Sequence, residues 1–218
     1  DHKRALDGDE GLNTGGMGTV APNPYYTPDV AAVCMEKIFK PTVAAMAAEG
    51  CPFKGCLYFG LMITPDGPKV IEYNCRFGDP EAQVVLPLLE SDLLTIMQAT
   101  TNGTLDKTEV KFRDGAAACV VLASGGYPVA YEKGKEITGL TEGQLPDAPE
   151  VTVYHAGTAV KDGKLVTAGG RVLGVTATGD TLPQALDKAY AAARRIHFEG
   201  AHMRSDIGRR ALAALSEN

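Results

Sequence analysis

The chain opens on a stretch without apolar periodicity. Asp7–Pro28 is dense in Gly, Pro and Asn and predicts a loop. Thr27 offers a capping hydroxyl and Pro28 suits a first helical position. Together they predict a helix to about Glu49, kinked or broken at Pro41 and stopped by Gly50. Cys56–Ile63 (CLYFGLMI) is almost continuously apolar and predicts a strand buried on both faces. After the turn signal Thr64-Pro65-Asp66-Gly67-Pro68, Lys69–Asn74 (KVIEYN) returns as the second strand of a hairpin. Pro80–Leu89 predicts a short helix, and Ser91 caps another that ends near Gly103.

The pattern changes after Asn102–Gly115, a polar segment that reads as a linker. Strands follow at Ala116–Ala123, Val151–His155, Lys164–Val166 and Arg171–Ala177, with Asp162-Gly163 as a hairpin turn. Thr181 and Gln184 form a capping box for a helix to about Ile196, and a last helix covers about Asp206–Leu215. Helix, hairpin and helices followed by a small antiparallel sheet with late helices make an α+β chain. The boundary is expected between residues 1–105 and 106–218.

The 218 residues, with 44% apolar and 22% charged positions, suit one large or two small globular domains. A net charge of −6 argues against nucleic-acid binding, which needs a basic surface. No apolar run reaches the roughly eighteen residues of a membrane span. Five cysteines, an odd number without a Cys-x-x-Cys pair, speak against a zinc site or disulfide framework and for reduced thiols in the cytoplasm. The opening Asp1-His2-Lys3-Arg4 has no Met and no signal pattern, so a fragment of a longer protein is expected.

Candidate chemistry gathers in Glu72–Glu81, EYNCRFGDPE. Glu72 and Asn74 are two apart on a predicted strand and share a face, with Arg76 in the same row if the strand continues. A carboxylate and an amide oxygen suit Mg²⁺, a hard cation that keeps waters or phosphates in its shell. The Arg76 fork suits a phosphate or carboxylate. An ordinary solvated strand face has the same alternation, so Glu-x-Asn alone leaves both readings open. Gly78, Asp79, Pro80 and Glu81 then lead into a helix, a setting that offers N–H groups to anions. Gly11–Gly18 (GLNTGGMG) matches neither a Walker A loop nor G-x-G-x-x-G. It is either a plain flexible loop or one whose bare glycines let a ligand approach the backbone. Asp1, His2 and Lys3 stand beside it.

DHKR, NTGGMG, GLMIT and KVIEYNCRFGDPE, in this order, resemble the phosphoribosylamine–glycine ligase (glycinamide ribonucleotide synthetase) family of ATP-grasp enzymes in purine biosynthesis. Later segments agree, among them Gly125-Gly126-Tyr127-Pro128, His155-Ala156-Gly157-Thr158 and Ser205-Asp206-Ile207-Gly208. The resemblance covers essentially the whole chain. It implies the later part of an ATP-grasp module (1–105) followed by a small mixed β-sheet/α C-terminal domain (106–218). The N-terminal half of the polypeptide, with much of the adenine clamp, would lie outside this chain.

The implied reaction joins glycine to 5-phosphoribosylamine through a glycyl phosphate, with ATP giving ADP and phosphate. Glu72 and Asn74 would bind magnesium or manganese. Arg76 would hold the γ-phosphate and acyl phosphate; Asp79 and Glu81 would orient glycine's ammonium, or Asp79 would help accept a proton. Lys3 and the Gly15, Gly16 and Gly18 loop would face substrate phosphates. Arg171, Arg209 and Arg210 would hold the ribose phosphate. For Arg209 and Arg210 the competing reading is a basic last helix complementing its own dipole. The further metal carboxylate that many ATP-grasp enzymes carry on the first strand of this hairpin has no counterpart in CLYFGLMI. His155 and His197 read as packed or backbone-bonded, and Cys75 has no evident base beside it. The alternatives are a catalytically silent binding or dimerisation module, or another ATP-grasp carboxylate–amine ligase of purine biosynthesis.

Overall fold

A computed structural model describes residues 1–216. The strands β1 (Arg4–Leu6), β2 (Glu10–Asn13) and β3 (Gly18–Ala21) come first. Helix α1 (Pro28–Cys34) runs through a π-type turn at Met35–Phe39 into α2 (Lys40–Ala48). The hairpin β4 (Tyr58–Thr64) and β5 (Gly67–Asn74) follows, then the short α3 (Ala82–Val85) and α4 (Leu93–Asn102). Beyond these lie β6 (Ala116–Ala123), β7 (Val151–His155), β8 (Thr158–Lys161), β9 (Lys164–Thr167), β10 (Arg171–Gly179), α5 (Leu182–Ala193) and α6 (Arg209–Ser216). The mixture of helices and antiparallel sheets is α+β. Among the described residues no helix is long and apolar enough to cross a membrane.

Two compact units form, and the chain passes between them repeatedly. One holds Asp1–Pro22, Asp79–Leu88 and the chain from Asp114 onward; the other holds Asn23–Gly78 and Leu89–Arg113. A single cut between residues 105 and 106 would therefore part residues that pack together. The reason is β3, which lies in the predicted loop but pairs antiparallel with β6, Thr19 opposite Cys119. The loop expected over Asp7–Pro28 also contains β2, paired with β1.

The first unit is built on the sheet β3-β6-β10-β7, antiparallel throughout. All eight residues of β6 are buried because both faces are covered. Ala116, Ala118, Val120 and Leu122 join the main core, where α5 packs its Leu182, Ala185, Leu186, Ala189, Ala192 and Ala193 side. Ala117 and Cys119 point the other way, toward Val84 and Leu88. The period of two thus serves two cores at once. The α5 cap is close to the expected box: Gln184 N–H donates to Thr181 Oγ1 at 3.5 Å, while Gln184 Oε1 accepts from Asp180 N–H at 3.1 Å. Asp162 and Gly163, both at positive φ, turn the β8–β9 hairpin.

In the second unit Thr27 Oγ1 accepts from Val30 N–H at 3.3 Å and caps α1 as expected. The predicted break at Pro41 takes the form of the wider Met35–Phe39 turn, as expected where proline withholds a backbone donor. Asp92, rather than Ser91, caps α4, accepting from Thr95 N–H at 2.7 Å. The strand expected to be buried on both faces is not: Met62 and Ile63 in β4 are exposed. β4 and β5 form a sheet of two strands, too small to be covered on both sides. Their aromatic contact is the stack of Phe59 on Phe39 (4.4 Å between centroids) with Tyr73 edge-on to Phe59 (5.3 Å).

Candidate functional site

The β5 end of the second unit carries the oxygen donors. Asn74 Nδ2 donates to Glu72 Oε1 at 3.4 Å, so the two side chains share a face as the spacing predicts. Gly60 lies directly opposite Glu72, and a Cβ there would stand 2.8 Å from Glu72 Cγ. The bare glycine lets the Glu72 chain lie across the neighbouring strand. The register also shifts between Gly60 and Leu61, leaving a bulge at the exposed Ile71. Sequence reasoning missed this role for Gly60, although a glycine inside an apolar strand is a known signal for a bulge or close approach. Arg76 does not continue the row: pairing ends at Tyr58 opposite Asn74, and the Arg76 NH1 donates to the Phe77 carbonyl at 2.9 Å.

Two oxygen donors on one strand face fit a magnesium-sized cation that takes its remaining ligands from water and phosphate. Among the described residues no three His, Cys, Asp or Glu side chains group to hold an ion on their own.

The first unit gathers another group of predicted residues around the glycine loop. Arg171, at the start of β10, donates from NH1 to the Gly15 carbonyl at 3.0 Å and to the Asp79 carbonyl at 2.8 Å. It also lies 3.3 Å from Asp79 Oδ1. This mostly buried guanidinium is therefore committed to holding the loop against the Asp79–Pro80 turn, which weighs against the expected phosphate contact. Asp79 Oδ1 further accepts from Gln83 Nε2 at 3.0 Å. The loop amides are taken as well: Gly15 N–H donates to Tyr127 Oη at 3.1 Å and Gly16 N–H to Thr14 Oγ1 at 2.9 Å. Tyr127, from the Gly-Gly-Tyr-Pro segment, is a positioning residue that no spacing argument picked out. Gly18 is buried in β3, where a Cβ would meet the Cys119 carbonyl at 2.7 Å, so strand packing accounts for it.

His2 fixes the backbone beside this loop. Its Nδ1 lies 3.1 Å from the Gly18 carbonyl, and its Nε2 accepts from Gly208 N–H at 3.1 Å. Burial pushes its pKa down to about 4, so the ring is neutral at pH 7. Lys3 Nζ, half exposed, lies 2.6 Å from Asp1 Oδ2. Glu81 stands at the start of α3.

Arg209 and Arg210 sit in the first turn of α6 rather than the last. The dipole reading fails there, because a helix N-terminus repels cations. Asp206 lies 3.9 Å from Arg209, and Asp9 3.5 Å from Arg210; both guanidiniums remain largely exposed. A cluster unforeseen from sequence lies beneath them. Buried Arg204 makes a two-pronged contact with Asp206 (2.8 and 2.9 Å) and also donates to Asp9 and to the Arg4 carbonyl. Ser205 donates to Asp7 through both its N–H and its hydroxyl. His155 is bonded to Thr158 Oγ1 and the Gly143 carbonyl, each at 3.0 Å, in keeping with a structural role.

Comparison with known proteins gives one family in two parts. Residues 1–82 match the model of the phosphoribosylglycinamide synthetase ATP-grasp (A) domain, and residues 117–210 that of its C domain. Phosphoribosylamine–glycine ligase of Agrobacterium fabrum is 52% identical over 213 residues, covering 98% of this chain and 49% of that protein. The chicken (Gallus gallus) trifunctional purine biosynthetic protein adenosine-3 is 52% identical over 219 residues, 100% of this chain and 22% of that one. The crystal structure of the Thermotoga maritima phosphoribosylamine–glycine ligase superposes with a TM-score of 0.83 at 43% identity, over 95% of this chain and 50% of that one. The biotin carboxylase domain of Hydrogenobacter thermophilus 2-oxoglutarate carboxylase shares the fold at 14% identity, TM-score 0.59, over 91% of this chain and 42% of that one. The chain spans about half the length of the curated ligases it matches.

Proposed function

Because the chain belongs to the phosphoribosylglycinamide synthetase family, with an ATP-grasp part and a C-domain part in series, we propose that it serves in the ATP-dependent ligation of glycine to 5-phosphoribosylamine. The products are glycinamide ribonucleotide, ADP and phosphate, in cytoplasmic purine biosynthesis. The observation that carries this reading is the pairing of Glu72 and Asn74 on one face of β5, opposite the Gly60 that makes room for them.

A carboxylate is a poor electrophile, so glycine is first phosphorylated by ATP and the amine of phosphoribosylamine then displaces phosphate. Such transfer depends on positioning and charge neutralisation more than on covalent protein chemistry. Glu72 and Asn74 would hold magnesium or manganese, which supplies neutralisation of phosphate charge when bound. Arg76, on the turn after β5, is assigned to the γ-phosphate and acyl phosphate. The acids Asp79 and Glu81 are assigned to the glycine side, and Lys3 with the glycine loop to the substrate phosphates. Arg209 and Arg210 are better placed than Arg171 for the ribose phosphate, since Arg171 is tied to backbone carbonyls while they are exposed at a helix start. In module terms, residues 1–105 are assigned to the ATP-grasp part and 106–218 to the C domain.

The test is ADP release by the family-length ligase containing this sequence. Release that requires both glycine and phosphoribosylamine is expected; release independent of either one would overturn the reading.

A further inference from the structure

A cavity of about 240 Å³ opens in the first unit between the end of α5 and the 201–203 segment. Leu122, Ile196 and Met203 give it apolar walls, and Arg194, His197 and His202 give it three basic groups. Among the described residues no acid lines it. The volume lies under the roughly 300–1,000 Å³ of a pocket for a drug-sized ligand, so a molecule smaller than a nucleotide suits it. None of these residues has a part in the ligase reaction as assigned above.

The three basic groups lack anionic partners. Arg194 lies over the Tyr190 ring, 5.6 Å from its centroid, and has no carboxylate beside it among the described residues. Its neighbour Arg195 is instead bound by Asp147 at 2.8 and 2.9 Å, and Glu199 is taken by Lys135 at 3.0 Å. The backbone of His197 pairs both ways with Thr138 (3.1 and 2.9 Å), yet its ring makes no hydrogen bond among the described residues. His202 is pinned in the same manner to Ala123 (2.9 and 2.8 Å). Its Nε2 donates to the Ala5 carbonyl at 2.7 Å, which leaves Nδ1 without a partner among the described residues. Both imidazoles therefore stand on fixed backbone with a ring nitrogen to spare. The spare nitrogen of His202 becomes a donor when the ring takes a second proton, a form that a nearby anion favours.

We propose that this cavity binds a small organic anion, an anionic head on a short apolar body, at a site separate from the ligase reaction. Arg194 supplies the permanent charge for the head, and the two imidazoles add donors to it. Leu122, Ile196 and Met203 cover the body, whose burial adds affinity in proportion to its apolar area. A metal ion is the weaker occupant. Arg194 repels a cation, and among the described residues no three His, Cys, Asp or Glu side chains are grouped to hold one. The site does not depend on the ligase reading, because the two share no residue.

The experiment is isothermal titration of the family-length ligase at neutral pH with phenyl phosphate, benzoate and inorganic phosphate. The first two differ in the head, and inorganic phosphate lacks the apolar body. Phenyl phosphate or benzoate is expected to bind with a Kd of about 1 mM or below, and at least about tenfold more tightly than inorganic phosphate. The tighter of the two identifies the head group. Arg194→Met should weaken that binding about tenfold or more, and His197→Gln about threefold or more. Both positions are exposed, and both variants should keep the parent's ADP release. Arg210→Gln, which removes a cation assigned to the ribose phosphate, should leave the binding in place. No binding, binding no tighter than that of inorganic phosphate, or binding undiminished in Arg194→Met overturns the proposal. Binding lost in Arg210→Gln overturns it as well, since the probe then sits on the ligase side. Failure of the ligase reading shows separately, as ADP release by the unaltered enzyme that ignores glycine.

Discussion

Replacing Arg204 with methionine removes the cation from the most deeply buried charge cluster in the chain while keeping much of its volume. The side chain is 1% exposed and holds Asp206 (10% exposed) through two hydrogen bonds, Asp9 through one and the Arg4 carbonyl through another. Breaking one partner of a buried pair costs about 3–5 kcal/mol, because the remaining carboxylate is left uncompensated. Asp9 is 38% exposed, so water screens its share and Asp206 carries most of the loss. Arg204 holds the Asp206 carboxyl well below the usual carboxylate range. A depressed carboxylate stabilises the fold above its unfolded value of 3.8 and loses that contribution as pH falls toward its folded value. The variant lacks most of this contribution at every pH. The gap between the two proteins should therefore be widest near neutrality and close in acid. Urea denaturation at neutral pH and again below pH 3.8 measures it. Hydrogen exchange should show β1 and β2 losing protection first, since Arg204 reaches Arg4 and Asp9. A neutral-pH gap below about 1 kcal/mol, or one of the same size in acid, would refute the account.

Glu72→Gln in the family-length ligase should lower turnover and raise the magnesium concentration needed for half-maximal rate; kinetics identical to the parent would remove Glu72 from the metal site. His2, neutral with its pKa near 4, resists the proton that the unfolded chain accepts at 6.5. Stability should therefore fall as pH drops from 6.5 toward 4, by up to about 3 kcal/mol, and His2→Gln should flatten that slope in pH-resolved melts. Gly16→Ala places a Cβ 2.5 Å from Asp1 Oδ1 and Pro80 Cδ at a φ of 121°. It should cost about 2 kcal/mol or more, and wild-type melting would show that the loop is looser than this geometry.

The elements best read from sequence are those whose signal is local. The apolar run of β6, the Thr27 and Thr181 caps and the Asp162-Gly163 turn are written in adjacent residues, and each stands where expected. β3 was hidden because Gly18–Ala21 is four residues long, and only β6, about a hundred residues away, makes it a strand. The face shared by Glu72 and Asn74 follows from strand period, but the end of pairing at Asn74 does not, so the condition on which Arg76 would join the row is not met. The glycine loop announced close approach without saying of what: it is Asp1, Pro80 and Arg171 that come near. Which acids were already paired depends on contacts such as Arg171 with Asp79, 92 positions apart, which no spacing rule reaches.

The threading of the first unit also sets an order of events in folding. Its N-terminal strands are held by residues about two hundred positions later: Arg204 to Asp9 spans 195 and His2 to Gly208 spans 206. Closing so long a loop carries an entropic cost that contacts recover only once both ends are in place, and topologies of this kind fold slowly. On the ribosome, residues 1–22 emerge well before the partners near residues 204–208 that hold them. Until α5 has been made, the apolar face of β6 that it covers is open to water, and the nascent chain is the form in which aggregation competes with assembly.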